Sequence, residues 1–230
     1  MIEQIVPPEV VATEAFSDPP DVWLFPEEED VIARAVDKRR REFATARACA
    51  RESLARLGIA PVPIVHGPSG APRWPRGVTG SITHCAGYRA CAVARVSDVA
   101  SIGIDAEPNE ETPDGVLQVI ADHAEREHLA ALSAARPGVH WDRLLFSAKE
   151  SVYKTWFPLT GRWLGFDDAS VSIDRETETF TARLRVPGPA INGSPIDSFN
   201  GRWTVGDGLI ITAVVIAAGP GWRGPGLRPG

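Results

Sequence analysis

The sequence predicts a soluble α+β protein made of two halves, each a long helix followed by a group of strands. Three observations carry this reading. Apolar residues recur at helical steps across residues 30–57 and stop at Gly58, and a second such run covers about residues 141–157 before Pro158. Short β-branched segments bounded by Gly, Pro and Asp follow each helix. The chain has 230 residues, 43% apolar and 23% charged, a folded composition with room for one large domain or two small ones. No near-identical repeat is visible, yet the similar content of the halves allows a duplication hidden at sequence level.

Taken in order, Pro19, Pro20 and the acidic residues 26–30 form an irregular lead-in whose carboxylates suit a helix N-terminus. The first helix, residues 30–57, has Val31, Ala35, Phe43, Ala46, Ala50, Leu54 and Leu57 on its apolar face and Arg39, Arg40, Arg47 and Arg51 opposite. Residues 61–80 are dense in Gly and Pro and read as loops and hairpins. Residues 81–84, 90–95 and 102–105 read as strands of one sheet. A helix over 116–132 and another over 141–157 follow, the latter burying Leu144, Leu145, Ala148, Val152 and Trp156. Residues 169–173, 179–186 and 201–217, the last broken by an Asp207-Gly208 turn, complete a second sheet. This divides the chain into residues 1–108, residues 109–218 and a flexible tail, residues 219–230, with eight Gly or Pro among twelve.

Composition excludes several classes. A net charge of −6 argues against nucleic-acid binding, although a local basic patch could recognise phosphates. Three cysteines, Cys49, Cys85 and Cys91, are an odd number without CxxC spacing and suit reduced thiols. The N-terminus lacks the basic start and apolar core of a signal peptide, and the longest apolar run, residues 209–218, is far short of the roughly 20 needed to span a bilayer. A cytoplasmic protein without membrane contact is expected.

Chemistry concentrates in four places. Asp105 and Glu107 alternate on an extended backbone and point to one face. Two carboxylates about 4 Å apart repel by roughly 1–4 kcal/mol at effective dielectrics of 80 to 20, which favours a cation or a shared proton between them. Magnesium, a hard ion that takes one or two carboxylates together with substrate phosphates, fits that pair. Glu150, with Lys149 and Lys154, lies on the polar edge of the second long helix and supplies a third carboxylate beside cations. His84 follows Ser81 and Thr83, hydroxyls that suit a phosphate, and Arg40, Arg47 and Arg51 recur on one face of the first helix. Each feature alone also has a plain reading: a solvated acidic turn, a surface ion pair between Glu150 and Lys154, a structural histidine, a solvated helix face.

In combination these residues resemble the 4′-phosphopantetheinyl transferases of the surfactin-synthetase-activating and enterobactin type, most closely the actinobacterial members. The resemblance rests on three ordered blocks. They are Gly70-x-Pro72-x-Trp74-Pro75 leading to Gly80-Ser-Ile-Thr-His-Cys85, then Ile102-Gly-Ile-Asp-Ala-Glu107, then Phe146-Ser-Ala-Lys-Glu-Ser-Val-Tyr-Lys-Thr-Trp156. The resemblance implies two pseudo-twofold-related α/β halves with the active site in the cleft between them, and transfer of the phosphopantetheine arm of coenzyme A to a serine of an apo acyl or peptidyl carrier protein. It also implies Asp105, Glu107 and Glu150 as ligands of magnesium, or of manganese in its place. Lys149, Lys154 and His84 would meet the phosphates of coenzyme A, with Ser81 beside them. Arg39 and Arg47, matched through Arg-Arg-x-Glu-Phe43, would meet the 3′-phosphoadenosine end. Lys149 or Lys154 would stabilise the transition state, while Glu150 is the first choice of base and Glu125 the second.

The loop from His66 to Gly70 departs from the family, whose members commonly carry lysines near both ends, and His66 replaces a cation only when protonated. The carrier, an acidic helical domain, needs an apolar and basic surface near the cleft, to which the segment around Trp74 and Arg76 could contribute, with plain loop packing the alternative reading of that segment. The enzyme would act as a monomer. A metal-dependent phosphohydrolase or an inactive coenzyme A- or carrier-binding module would use many of the same residues.

Overall fold

The computed structural model describes residues 1–220 and 222. Beyond these, the glycine- and proline-rich tail expected from residue 219 lies outside the described residues. The first helix of the chain, α1 (Pro26–Val31), opens on the acidic run with Pro26 in its first turn, where the missing N–H costs nothing. It is not continuous with α2 (Asp37–Arg56), so the single helix expected over residues 30–57 is two. Val36 is extended at the junction, and Arg40 holds the corner by donating to the Ile32 carbonyl at 3.0 Å and pairing with Glu29.

Phe43, Ala46, Ala50 and Leu54 face inward on α2 as the periodicity predicts. Arg47 and Arg51, expected on its solvated side, are buried as well. Arg51 lies over the Trp23 ring at 4.0 Å and donates to the Trp23 carbonyl at 2.6 Å and to Glu28 at 3.1 Å. Glu28, fully buried, also accepts from the Ile64 N–H at 2.8 Å. Burying this ion pair is tolerable because each partner has further hydrogen bonds.

The N-terminal sheet is antiparallel in the order β1-β3-β2, formed by β1 (Val11–Ala15), β2 (Val78–Cys85) and β3 (Tyr88–Arg95). The sequence reading had no strand at β1. The next strand, β4 (Val99–Pro108), belongs to a different sheet. With β5 (Ala169–Asp174), β6 (Thr179–Leu184), β9 (Ser198–Gly206) and β10 (Leu209–Ala217) it makes an antiparallel sheet ordered β4-β10-β9-β6-β5. A small hairpin, β7 (Ala190–Ile191) with β8 (Ser194–Pro195), stands apart. The strands at 81–84, 90–95 and 102–105 therefore do not share one sheet, and the sheets part before Val99 instead of after Pro108. Side-chain hydroxyls join them: Ser81 Oγ accepts from the Ile104 N–H and Thr83 Oγ1 from the Ala106 N–H, each at 3.1 Å. These bonds satisfy the edge of β4 that faces away from β10.

The helix expected over 116–132 is also divided, into α3 (Val116–Ile120) and α4 (His123–Ala135). Asp122 stops one and starts the other. Its carboxylate accepts from the Glu125 N–H while Glu125 accepts from the Asp122 N–H, both at 2.8 Å, a reciprocal capping box. The last helix, α5 (Trp141–Thr160), runs one turn past the expected stop at Pro158 and ends at left-handed Gly161, whose N–H donates to the Phe157 carbonyl at 2.8 Å.

Helix α5 is buried on two sides. Leu144, Leu145, Ala148, Val152 and Trp156 enter the core of the five-stranded sheet. Ser147, Ser151 and Thr155, four apart and fully buried, form a narrow stripe that packs on β4 and β10. Thr212 Oγ1 donates to the Ser147 carbonyl at 2.9 Å and Ser101 Oγ to the Thr155 carbonyl at 2.8 Å. At the crossing sits Gly103, where a Cβ would lie 1.9 Å from the Ser151 carbonyl oxygen and 2.7 Å from the Thr155 nitrogen. A further apolar cluster joins Tyr88, Ala90 and Ala92 of β3 to Ile102 and Ile104 of β4 and Ile211 of β10, so the sheets share a core. No helix among the described residues is long and apolar enough to cross a membrane.

Gly103→Ala must push α5 off β4, because two of the three obstructing atoms, the Ser151 oxygen and the Thr155 nitrogen, are backbone. Its unfolding free energy should fall by about 3 kcal/mol, the upper end of ordinary overpacking costs. Urea denaturation measures this, and an unchanged midpoint would contradict the packing described.

Candidate active site

A cavity of about 640 Å³ opens between α2, the loop that follows it, β2 and α5. Arg39, Arg47, His66, Gly70, Ser81, His84, Glu150 and Lys154 all line it, so most of the residues singled out in the sequence meet there. Its walls come from both halves.

Arg47 is only 3% exposed. Its Nε donates to the Ile64 carbonyl at 2.7 Å and its guanidinium covers the Phe43 ring at 3.9 Å, but Nη2 is buried without a partner. Burial lowers its pKa to about 10, which leaves it charged at neutral pH. A buried cationic donor with an idle N–H in a cavity wall is suited to an anion.

About two turns before Arg47 on α2, Arg39 lines the same cavity, and its Nη1 lies 2.5 Å from His84 Nε2. Guanidinium only donates, so Nε2 accepts and the imidazole proton resides on Nδ1. Burial and then the Arg39 charge lower the His84 pKa to about 4, so His84 is neutral at pH 7. Ser81 lines the cavity too, with its oxygen already accepting from Ile104 and only its proton free to donate.

Lys154 does not pair with Glu150 one turn before it. Its ammonium reaches over to β4, donating to Asp105 Oδ1 at 2.7 Å and to the Ile104 carbonyl at 3.1 Å. Thr83 donates to the same carboxylate oxygen at 3.3 Å, while Asp105 Oδ2 is buried with no partner. Glu107 pairs with Arg143 at 3.2 Å. Burial, then the charge of Asp105, raises the Glu107 pKa to about 7, and the same two causes raise that of Glu150. Asp105 thus acts on both glutamates. No three His, Cys, Asp or Glu side chains among the described residues close into a metal cage; Lys154 holds Asp105 and Arg143 holds Glu107. The orphaned oxygen of Asp105 and the all-carboxylate donor set nevertheless fit a hard divalent cation.

Four expected site residues do not line the cavity: Asp105 and Glu107, held by Lys154 and Arg143, and the buried pair Lys149 and Glu125. Lys149 is buried and donates to Glu125 at 3.0 Å, to the Phe166 carbonyl at 2.8 Å and to the Ala169 carbonyl at 3.2 Å. It does not line the main cavity. Glu125 accepts from Lys149, Asp122 N–H and Val171 N–H. Its oxygens are occupied in the joint between α4, α5 and β5, where it is the partner of Lys149. Among the arginines, Arg40 and Arg51 are committed to Glu29 and Glu28. Trp74 belongs to the cavity wall, donating from Nε1 to the Gly80 carbonyl at 3.0 Å.

The sequence reading gave no role to Tyr153 and Phe157, which line the cavity on the same face of α5 as Glu150 and Lys154. With Lys154 four residues on, their spacing at three and seven residues from Glu150 is the available signal. Arg143, seven residues before Glu150, was missed for the opposite reason: only the tertiary fold brings it to Glu107.

The family of 4′-phosphopantetheinyl transferase N-terminal domains matches residues 27–94, and the 4′-phosphopantetheinyl transferase superfamily matches residues 101–203. The chain is 56% identical to the 4′-phosphopantetheinyl transferase Svp of Streptomyces mobaraensis, over 96% of this chain and 91% of the relative. Identity is 48% to the 4′-phosphopantetheinyl transferase PptT of Mycobacterium tuberculosis, over 88% and 90%. Enterobactin synthase component D of Salmonella typhi is more distant, 34% identical over 66% and 61%.

Glu125→Gln should behave as a lesion of stability. Leaving Lys149 buried without its counter-charge should cost about 3–5 kcal/mol, and Glu125→Gln/Lys149→Met should recover much of it. Chemical denaturation of the two variants checks this; full stability of Glu125→Gln would refute the structural assignment.

Proposed function

The chain belongs to the 4′-phosphopantetheinyl transferase superfamily, and we propose that the cavity between α2 and α5 is where it takes coenzyme A. The protein moves the phosphopantetheine arm of coenzyme A to a serine hydroxyl of an apo carrier protein. The observation that carries the assignment to this cavity is a buried, unpartnered Arg47 N–H in its wall, with Lys154 of the same wall bound to Asp105, whose other oxygen is buried and unpartnered. Together they suit a polyanion at one end and a cation at the other.

In this reading Arg47, Arg39 and His66 receive the 3′-phosphoadenosine end. His84 offers its Nδ1–H, Ser81 its hydroxyl and Lys154 its charge to the pyrophosphate. Asp105, Glu107 and Glu150 would hold magnesium, which supplies neutralisation of pyrophosphate charge when bound. Lys154 would leave Asp105 Oδ1 for phosphate, and Glu107 would leave Arg143. The serine oxygen attacks the phosphorus that carries pantetheine, and the bond from that phosphorus to the bridging oxygen breaks. Adenosine 3′,5′-bisphosphate departs with the bond electrons, and Glu150 receives the serine proton. Its raised pKa and place in the wall support that role. Exposed Arg76 beside the wall tryptophan offers positive charge to an acidic carrier.

Incubation with coenzyme A, magnesium and a panel of apo carriers should add the mass of one phosphopantetheine per modified serine. Asp105→Ala should abolish the gain. No gain on any carrier competent with another transferase would overturn the reading, and consumption of coenzyme A without carrier would favour a phosphohydrolase.

His66 gives coenzyme A affinity a pH dependence. Burial, then Arg47 and Arg39, hold the free imidazole below its ordinary pKa, whereas a bound phosphate would raise it. Binding therefore takes up a proton, and affinity should strengthen as pH falls from 8 to 6, by up to about tenfold per pH unit. His66→Lys, charged throughout, should bind more tightly at pH 8 and lose most of this slope in calorimetric titration. An unchanged slope would refute the role of His66.

A further inference from the structure

We infer that Glu42, which does not line the cavity, is a positioning residue that holds Arg39 and His84 in place for the phosphates of coenzyme A. The inference rests on the assignment of the cavity to coenzyme A. Glu42 belongs to the motif Arg-Arg-x-Glu-Phe, whose first arginine and phenylalanine reach the cavity wall while the glutamate turns aside. Its side chain is only 13% exposed and lies between two cations. One oxygen is 3.9 Å from Arg39 and the other 3.4 Å from Arg89.

Arg89 is the fixed point. It is buried and donates to Asp18 at 2.7 Å, and its Nη1 donates to the carbonyls of Cys85 at 2.5 Å and Tyr88 at 2.9 Å. Those carbonyls flank the turn between β2 and β3, directly after His84. The contacts therefore close a ring: His84 to Arg39, Arg39 to Glu42, Glu42 to Arg89, and Arg89 to the backbone beside His84.

Arg39 needs this restraint. Its side chain is 42% exposed, and a long exposed arginine held in one rotamer loses entropy that a partner must offset. Its one other contact in the ring fixes the His84 tautomer, leaving Nδ1–H as the donor. Removing the carboxylate would leave Arg39 without a counter-charge, while Arg89 keeps Asp18. Arg39 would turn to solvent, and His84 would lose both its hydrogen bond and its defined proton position.

Glu42→Gln in the full chain tests this, since it keeps shape and removes charge. The Kd and KM for coenzyme A should rise about tenfold, the loss expected for one charged hydrogen bond, while kcat at saturation stays within about twofold. In an Arg39→Ala background the same change should cost less than about twofold, because the residue it positions is gone. An unchanged Kd, or a full additive loss on Arg39→Ala, would overturn the inference. If Glu42→Gln folds poorly, Arg89→Lys serves instead: it should raise Kd in the same Arg39-dependent way, and a lowered Tm with unchanged Kd would count against the ring. Wild-type protein that transfers phosphopantetheine but shows no such coupling refutes this inference alone. Wild-type protein that does not bind coenzyme A refutes the cavity assignment and this inference together.

Discussion

The approach of α5 to β4 across Gly103 is the constraint on which the rest of the molecule depends. A helix resting on a strand normally keeps a side chain's thickness between backbones, but here Ser151 and Thr155 lie directly over a residue with no Cβ. That closeness lets Lys154 reach both the Ile104 carbonyl and Asp105. It also sets Glu150 where it feels the charge of Asp105. The small stripe of Ser147, Ser151 and Thr155 answers the glycine from the helix side, and its hydroxyls satisfy or bridge backbone groups that such a dry contact would otherwise strand.

Hydroxyls play the same part where the sheets meet. A continuous ladder between β2 and β4 would have placed the cavity wall in a rigid sheet surface. Instead, Ser81 and Thr83 lend their oxygens to the Ile104 and Ala106 N–H groups. The two halves are thus joined by a few directional bonds above a shared apolar core, with the cavity beside that joint. Thr83 ties the joint to the chemistry by donating to Asp105 as well.

Buried charge serves both structure and site. Pairs saturated by further hydrogen bonds, Glu28 with Arg51 and Glu125 with Lys149, sit in joints between elements and do not face the main cavity. Two groups with an idle atom, Arg47 Nη2 and Asp105 Oδ2, stand in the cavity wall or against Lys154 of that wall, while Asp18 Oδ1 and Arg89 Nε are idle outside it. An unsatisfied buried polar atom costs stability, so concentrating two of them here is consistent with ligands that complete them.

Much was legible in the sequence because it depends on local order. The helical runs, the two groups of strands, and the ordered blocks around His84, Asp105 and Glu150 come from periodicity and spacing that neighbouring residues impose. Helix breaks at Val36 and Asp122 were harder to read, since each depends on a corner bond or cap competing with a continuing apolar pattern. What only the tertiary structure decided is which charges remain available. Lys149 and Lys154 are five residues apart on one helix, yet a rotation of about 500° along it sends the first to Glu125 and the second to Asp105. Glu125 and Arg51 look as free as any surface residue until the chain folds them against partners distant in sequence. The sequence by itself determined the kinds of groups brought to the site. Packing across Gly103 decided which of them converge, because burial and long-range pairing have no counterpart in local spacing.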